Sequence, residues 1–307
     1  MLDASASGVY VIAPTPFHDD GRIDERSTDR MTDFFLESGV TGITVLGQMG
    51  EAPKLDHGEA VGVAARVIRR AKVPVIVGVS APGFAAMRGV AREVMDAGAA
   101  GVMIAPPPHL RTDDQITGYF KQAQEAIGDI PWVLQDYPLT FSVQMTPNVI
   151  RRIHTDNPSC WFLKHEDWPG LDKISQLRAW EKEGQLRRLP ILVGNNGLFL
   201  DFELERGSDG ANTGYCFPDM LVDVVNLSKA GKRDEAHDLF DAHLPLIRYE
   251  QQPGPGMAVR KYVMMRRGII ASDTLRKPGA SLSPVARAEV DYLMARIARV
   301  DPRARVG

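Results

Sequence analysis

Short runs of apolar and β-branched residues recur along the chain at positions 9–13, 42–46, 73–79, 101–105, 132–134, 161–163, 191–193 and 210–213. Between most of them lie segments whose apolar residues repeat at three- and four-residue spacing. Residues 23–38 carry Met31, Phe34 and Phe35 on one face; 57–71 carry Val61, Ala64, Ala65 and Ile68; 84–97 carry Met87, Val90, Ala91 and Val94. Each reads as an amphipathic helix following a strand. Ser38-Gly39 and Ala97-Gly98 supply the glycine that stops a helix before the next strand. Eight strand–helix units in series predict a closed parallel barrel rather than a doubly wound open sheet. The seventh helix, residues 198–206, is short. After the eighth strand the chain turns helical at 220–229, 234–246, 257–267 and 284–299, with a tight turn at 252–256 and a tail at 301–307 expected to fray. The expected organisation is α/β: a (β/α)8 TIM barrel over residues 1–218, with additional C-terminal helices over 219–307 packed on the barrel.

Composition narrows the function more than the fold. Apolar residues make up 44% and charged residues 24%, values ordinary for a globular protein. A net charge of −3 and a pI near 6.2 give no basic surface for nucleic acid or an acidic membrane. The longest apolar run, residues 74–79, is far below the roughly 20 residues that span a bilayer. Residues 1–8 lack the basic start and apolar core of a signal peptide. Cys160 and Cys216 are too few and too isolated for a disulfide framework or a zinc site. Together these predict a reducing, cytoplasmic setting.

In a barrel of this kind chemistry collects at the C-terminal ends of the strands. The sixth apolar run leads straight into Lys164, before a polar turn at His165, Glu166 and Asp167. A lysine desolvated at such a place can lose its proton near neutral pH, attack carbonyl carbon and form a Schiff base. Equally, Lys164 could reach solvent or pair with Glu166. The second strand ends in Gly47-Gln48-Met49-Gly50-Glu51, whose two glycines permit a tight turn with exposed N–H groups for an anion, or simply a turn. Pro106-Pro107-Pro108 stiffens the exit of the fourth strand and aims His109, a site residue or an exposed loop histidine. Gln135 and Tyr137 at the fifth strand are two apart and share a face. Gly194-Asn195-Asn196-Gly197 and Asn212-Thr213-Gly214-Tyr215 are polar, glycine-bounded mouths suited to hydroxyl-bearing ligands, or ordinary turns. No Ser-His-Asp arrangement, P-loop, dinucleotide fingerprint or metal-ligand spacing is present.

Taken together, Ala13-Pro14-Thr15-Pro16-Phe17, the 47–51 loop, the proline-rich exit and Lys164 make the sequence similar to the dihydrodipicolinate synthase / N-acetylneuraminate lyase family over essentially its whole length. The resemblance implies a class I lyase or aldolase without cofactor or metal, usually a homotetramer built as a dimer of dimers. It places the imine-forming lysine at Lys164 and the carboxylate of pyruvate or another 2-oxo acid on residues 47–50.

Departures from the family pattern point away from lysine biosynthesis. The family's Gly-Thr-Thr-Gly-Glu is Gly-Gln-Met-Gly-Glu here, without a hydroxyl at Gln48 or Met49. An ungapped overlay puts Gln135 at the catalytic tyrosine position, Thr140 at the synthase's substrate-binding arginine and Pro108-His109 at its aromatic pair. Gln135-Asp136-Tyr137-Pro138, with residues 246–250 and 268–273, is more similar to the 2-keto-3-deoxy sugar-acid dehydratases. The implied chemistry is imine formation on Lys164, activation of the C3 proton, and loss of the C4 hydroxyl. Gln135 or Tyr137 would hold or protonate the leaving oxygen, and Asn195, Asn196 and Thr213 would contact substrate hydroxyls, beside Gly47, Gln48, Met49, Gly50, Glu51 and His109. The alternatives are the synthase itself and a non-catalytic 2-oxo-acid-binding protein.

Overall fold

The eight strands form and close into one parallel barrel in chain order. The computed structural model of the chain describes residues 2–81, 83–168 and 170–306. The strands are β1 (Gly8–Ile12), β2 (Gly42–Val45), β3 (Val75–Gly78), β4 (Gly101–Ile104), β5 (Trp132–Asp136), β6 (Cys160–His165), β7 (Ile191–Val193) and β8 (Gly210–Thr213). Helices intervene as α1 (Glu25–Glu37), α2 (His57–Arg70), α3 (Phe84–Asp96), α4 (Asp113–Ile127), the single turn α5 (Pro138–Phe141), α6 (Pro147–Asp156), α7 (Leu171–Lys182) and α8 (Leu200–Glu205). The pairing of Gly8 with Gly210 and of Tyr10 with Asn212 closes the ring and excludes the open sheet. Gly210 makes that closure possible: with φ of +147°, a Cβ there would lie 2.0 Å from the carbonyl oxygen of Gly8.

Alternation along each strand sorts the core into two layers. Val9, Val11, Ile43, Val45, Val102, Ile104, Leu134 and Leu163 face the helices. Tyr10, Ile76, Met103, Val133, Phe162 and Leu192 meet inside the barrel, where Leu2 and Ala6 of the N-terminal segment close the bottom. Start signals in the sequence set several helices. Asp24 accepts from the Ser27 amide at 2.9 Å, and capping boxes Asp56/Glu59 and Thr112/Gln115 open α2 and α4.

Two strands run longer than the sequence pattern predicted. β5 continues through Gln135 and Asp136, and β6 through Lys164 and His165, because these polar residues still pair in the ladder, Gln135 with Lys164 and Asp136 with His165. The sequence pattern ended the apolar runs at Leu134 and Leu163, with Lys164 closing its strand and a turn from His165, yet all four residues are buried.

After β8, α9 (Pro218–Lys229) packs on β1 and β8. It is followed by α10 (Arg233–Glu250), which runs through Pro245, then α11 (Gly256–Arg266) and α12 (Pro284–Ile297). The tail predicted to fray is tied down instead. Within the described residues, Asp301 is 3% exposed and accepts from His243 Nε2 at 3.0 Å, while His243 Nδ1 accepts from the Tyr215 hydroxyl at 3.0 Å. Arg303 pairs with Asp223 at 2.7 Å. Burial alone would push the Asp301 carboxyl up, but hydrogen bonds from His243 and Arg303 outweigh it and hold the group below its usual range. A depressed folded-state pKa contributes stability above the unfolded value and loses it as pH falls toward the folded one. Asp301→Asn is therefore expected to cost most stability near neutral pH. In urea unfolding, the gap to wild type should narrow below the ordinary carboxylate range near about 4; a gap constant down to about pH 2 would contradict this linkage.

Candidate active site

The alternation that buries Phe162 inside the barrel brings Lys164 to the same side two residues later, and Val133 does the same for Gln135. Lys164 is 5% exposed at the C-terminal end of the barrel. Its Nζ lies 3.0 Å from Oε2 of Glu166, and the Gln135 side-chain amide donates to that same oxygen at 2.8 Å. Glu166 leaves β6 with its own amide bonded to the Asp136 carbonyl at 2.8 Å, so its side chain folds back over Lys164. Gly194 makes room for it. A Cβ at position 194 would stand 2.1 Å from Glu166 Cγ.

Above this group opens a cavity of about 650 Å³ whose wall includes Gln48, Met49, Gln135, Tyr137, Lys164, Glu166, Asn195, Asn196 and Thr213. Its size suits a small, many-atom ligand rather than a macromolecule. Tyr137 is half-buried, and burial first, then the charge of Glu166, raises its phenol above the usual range. The ring therefore stays a neutral hydrogen-bond donor at physiological pH.

At the end of β2 the amides of Gly50 and Glu51 close a 3₁₀ turn on the carbonyls of Gly47 and Gln48, at 2.9 and 3.1 Å. The first amides of such a turn have no partner inside it, which leaves those of Gln48 and Met49, both in the cavity wall. Thr15 Oγ1 donates to the Gly50 carbonyl at 2.6 Å and fixes the turn from β1. Glu51 turns away. It adopts a left-handed backbone, pairs with Lys261 at 2.6 Å and Lys54 at 2.7 Å, and accepts the Arg276 amide at 3.1 Å. Desolvation pulls Lys261 down to about 8 against the opposing pull of Glu51. Glu51 thus anchors the loop to α11 rather than facing a ligand.

Other expected residues divide in the same way. The Asn195 side chain donates to the Glu166 carbonyl at 2.9 Å and accepts from Gln251 at 3.3 Å. Asn196 accepts from Arg260. Both asparagines hold left-handed backbone, φ 51° and 57°, and shape the β7 mouth; Asn195 uses both ends of its amide there, whereas Asn196 commits only its oxygen. Thr213 is buried in the cavity wall, its hydroxyl unpartnered among the described residues. His109 is not in this cavity. It is exposed and lines a neighbouring pocket of about 590 Å³, shared with Gly47, Gln48 and Gln135.

Beneath the site, buried charge fixes the strand ends. Arg260 meets Glu250 at 2.6 Å, and Lys173 joins Asp136 at 2.8 Å and Asp167 at 2.7 Å. Burial would raise the Asp136 carboxyl, but His165 and Lys173 outweigh it and lower it. Among the described residues no group of three His, Cys, Asp or Glu is placed to hold a metal, and no helix is long and apolar enough to cross a membrane.

Glu166 is the side chain that the sequence pattern did not single out for the site. The available signal was its two-residue spacing from Lys164, obscured by the expectation that the strand had already ended.

The profile of the Dihydrodipicolinate synthetase family matches residues 5–297. An L-2-keto-3-deoxyarabonate dehydratase of Azospirillum brasilense is 29% identical over 96% of this chain and 94% of its own. A 4-hydroxy-tetrahydrodipicolinate synthase of Pelobacter propionicus is 33% identical over 94% of this chain and 97% of its own. The crystal structure of a dihydrodipicolinate synthase from Rhodopseudomonas palustris is 70% identical, with a TM-score of 0.95 over 96% of this chain and 99% of that one. With its closed eight-stranded barrel and its match across nearly the whole length, the chain belongs to the dihydrodipicolinate synthetase family of class I lyases and aldolases.

Proposed function

We propose that this enzyme forms a Schiff base between Lys164 and a 2-oxo acid and that its reaction is the dehydration of a 2-keto-3-deoxy sugar acid. The observation that carries this reading is Glu166, whose Oε2 stands 3.0 Å from Lys164 Nζ inside the cavity. The Lys164 amine attacks C2 of the acid, whose carboxylate rests on the Gln48 and Met49 amides, and the carbonyl oxygen leaves as water. The protonated imine withdraws electrons from C3. Glu166 removes a C3 proton to give the enamine, which expels the C4 hydroxyl. That oxygen leaves as water, taking its proton from Glu166 with Tyr137 as hydrogen-bond donor. Hydrolysis of the unsaturated imine frees Lys164. One carboxylate that takes a proton at C3 and gives it at C4 is what a dehydration needs.

Two further observations support this branch. Thr140, at the place of the synthase's arginine, lines the cavity without a charge. The cavity also has room for an acid longer than pyruvate. The synthase is the second reading, favoured by the 70% identity to the Rhodopseudomonas palustris protein. The homotetramer implied by the resemblance is part of the same proposal.

Borohydride added with pyruvate should leave a mass adduct that maps to Lys164, and Lys164→Ala should lose both adduct and turnover; near-normal activity in that variant would end the proposal. Glu166→Gln should still be trapped but dehydrate roughly 10²–10⁴-fold more slowly. Undiminished water loss in that variant would remove Glu166 from the chemistry. Offered 2-keto-3-deoxy sugar acids, or pyruvate with aspartate semialdehyde, the enzyme should consume the first group. The reverse preference would establish the synthase.

A further inference from the structure

The cavity's charges are nearly all committed to one another. Lys164 is paired with Glu166 at 3.0 Å, and Glu250 with the fully buried Arg260. Arg248 is the remainder. It lines the same cavity, is exposed, and makes no hydrogen bond or ion pair among the described residues. Its place in the last turn of α10 gives it a favourable interaction with the helix dipole, which by itself points to no ligand. The balance does. With the two pairs cancelled, Arg248 leaves one uncompensated positive charge on the wall of a cavity whose other carboxylates are already used.

Arg248 also stands on a fixed support. The turn after it is bound across the cavity mouth by Gln251 Nε2 to Asn195 Oδ1 at 3.3 Å and closed on itself by Gln252 Nε2 to the Tyr249 carbonyl at 2.8 Å. Lys164 is buried deep in the barrel mouth and Arg248 is exposed at the rim. A 2-oxo acid joined to Lys164 through C2, with its C1 carboxylate on the 48–49 amides, keeps its other end free for the rest of the cavity wall, which includes Arg248. Thr140 offers that end no charge.

We propose that Arg248 is a specificity-determining residue that binds a second anionic group, carboxylate or phosphate, at the far end of the substrate chain. This rests on the Schiff-base reading above and narrows its substrate, among the 2-keto-3-deoxy sugar acids, to those with a carboxylate or phosphate at the far end as well. A guanidinium presents two parallel N–H groups to either kind of anion, and pairing it with one satisfies a donor set that the protein leaves open. The contact is made at an exposed rim, so salt screens it.

The test compares matched acids in one trapping assay. Wild-type enzyme is titrated with pyruvate, 2-oxopentanoate, 2-oxoglutarate and the phosphonate-ended analogue of 2-oxoglutarate, with borohydride capture on Lys164 read by intact mass. Pyruvate reports the Schiff-base reading alone. The two-charged acids should half-saturate trapping at roughly tenfold lower concentration than 2-oxopentanoate. That ratio should shrink at high ionic strength, fall to near one in Arg248→Ala and be partly kept in Arg248→Lys. Preference between the carboxylate and phosphonate arms identifies the anion. Capture of pyruvate with no preference for two-charged acids, or a preference that survives in Arg248→Ala, overturns the role of Arg248 and leaves the Schiff base standing. Absence of any adduct, pyruvate included, overturns both.

Discussion

In β6 successive side chains alternate between the inside of the barrel and its helix-facing outside, and most of what the site contains follows from that parity. Phe162 fills the interior layer, Lys164 rises above it and Glu166 follows, while Leu163 and His165 point into the helix layer and its buried charges. A slip of one residue would put the lysine among the helices and an apolar side chain in the cavity. The register with β5, fixed through Leu134–Leu163 and Gln135–Lys164, prevents that slip. The hydrophobic layers are thus the alignment device for the polar ones.

Around that strand the protein spends its buried charge on position. Glu51 ties the β2 loop to α11 through Lys261, Arg260 binds Glu250 and Asn196, and Lys173 gathers Asp136 and Asp167. Each links the C-terminal end of a strand to a helix or a neighbouring loop. Buried pairs of this kind add little net stability over an apolar filling, but losing one partner is severe because the other charge is left stranded. Their effect is that the loops of the cavity keep one arrangement.

The barrel was legible in the sequence because eight apolar runs with helical spacing between them leave few ways to bury so many strands. The place of Lys164 was legible for a related reason, since three apolar residues leading into a cation imply a strand delivering it to an end. The strand ends themselves were not. His165 looks like a turn residue and Asp136 like a strand exit, and only the pairing of neighbouring strands reveals that they stay in the ladder. Glu166 was hidden by that misplaced end. Glu51 and His109 were grouped with the site by their neighbours in sequence, but a one-dimensional pattern does not say which way a loop side chain turns. The tail was misjudged because its anchors, Tyr215, His243 and Asp223, lie more than fifty residues upstream.

Gly194 has a meaning beyond local fit. Its φ is negative, −112°, so no left-handed backbone accounts for a glycine there. What occupies the position of its side chain is the end of the Glu166 side chain, from Cγ to the carboxylate, only 2.1 to 2.5 Å from where a first carbon would stand. The contribution of β7 to the neighbouring strand is therefore a vacant volume the size of one methyl group. The location of the carboxylate beside Lys164 is encoded as much by that missing atom as by the residue that bears the charge, and a change that looks conservative just after β7 would be felt just after β6.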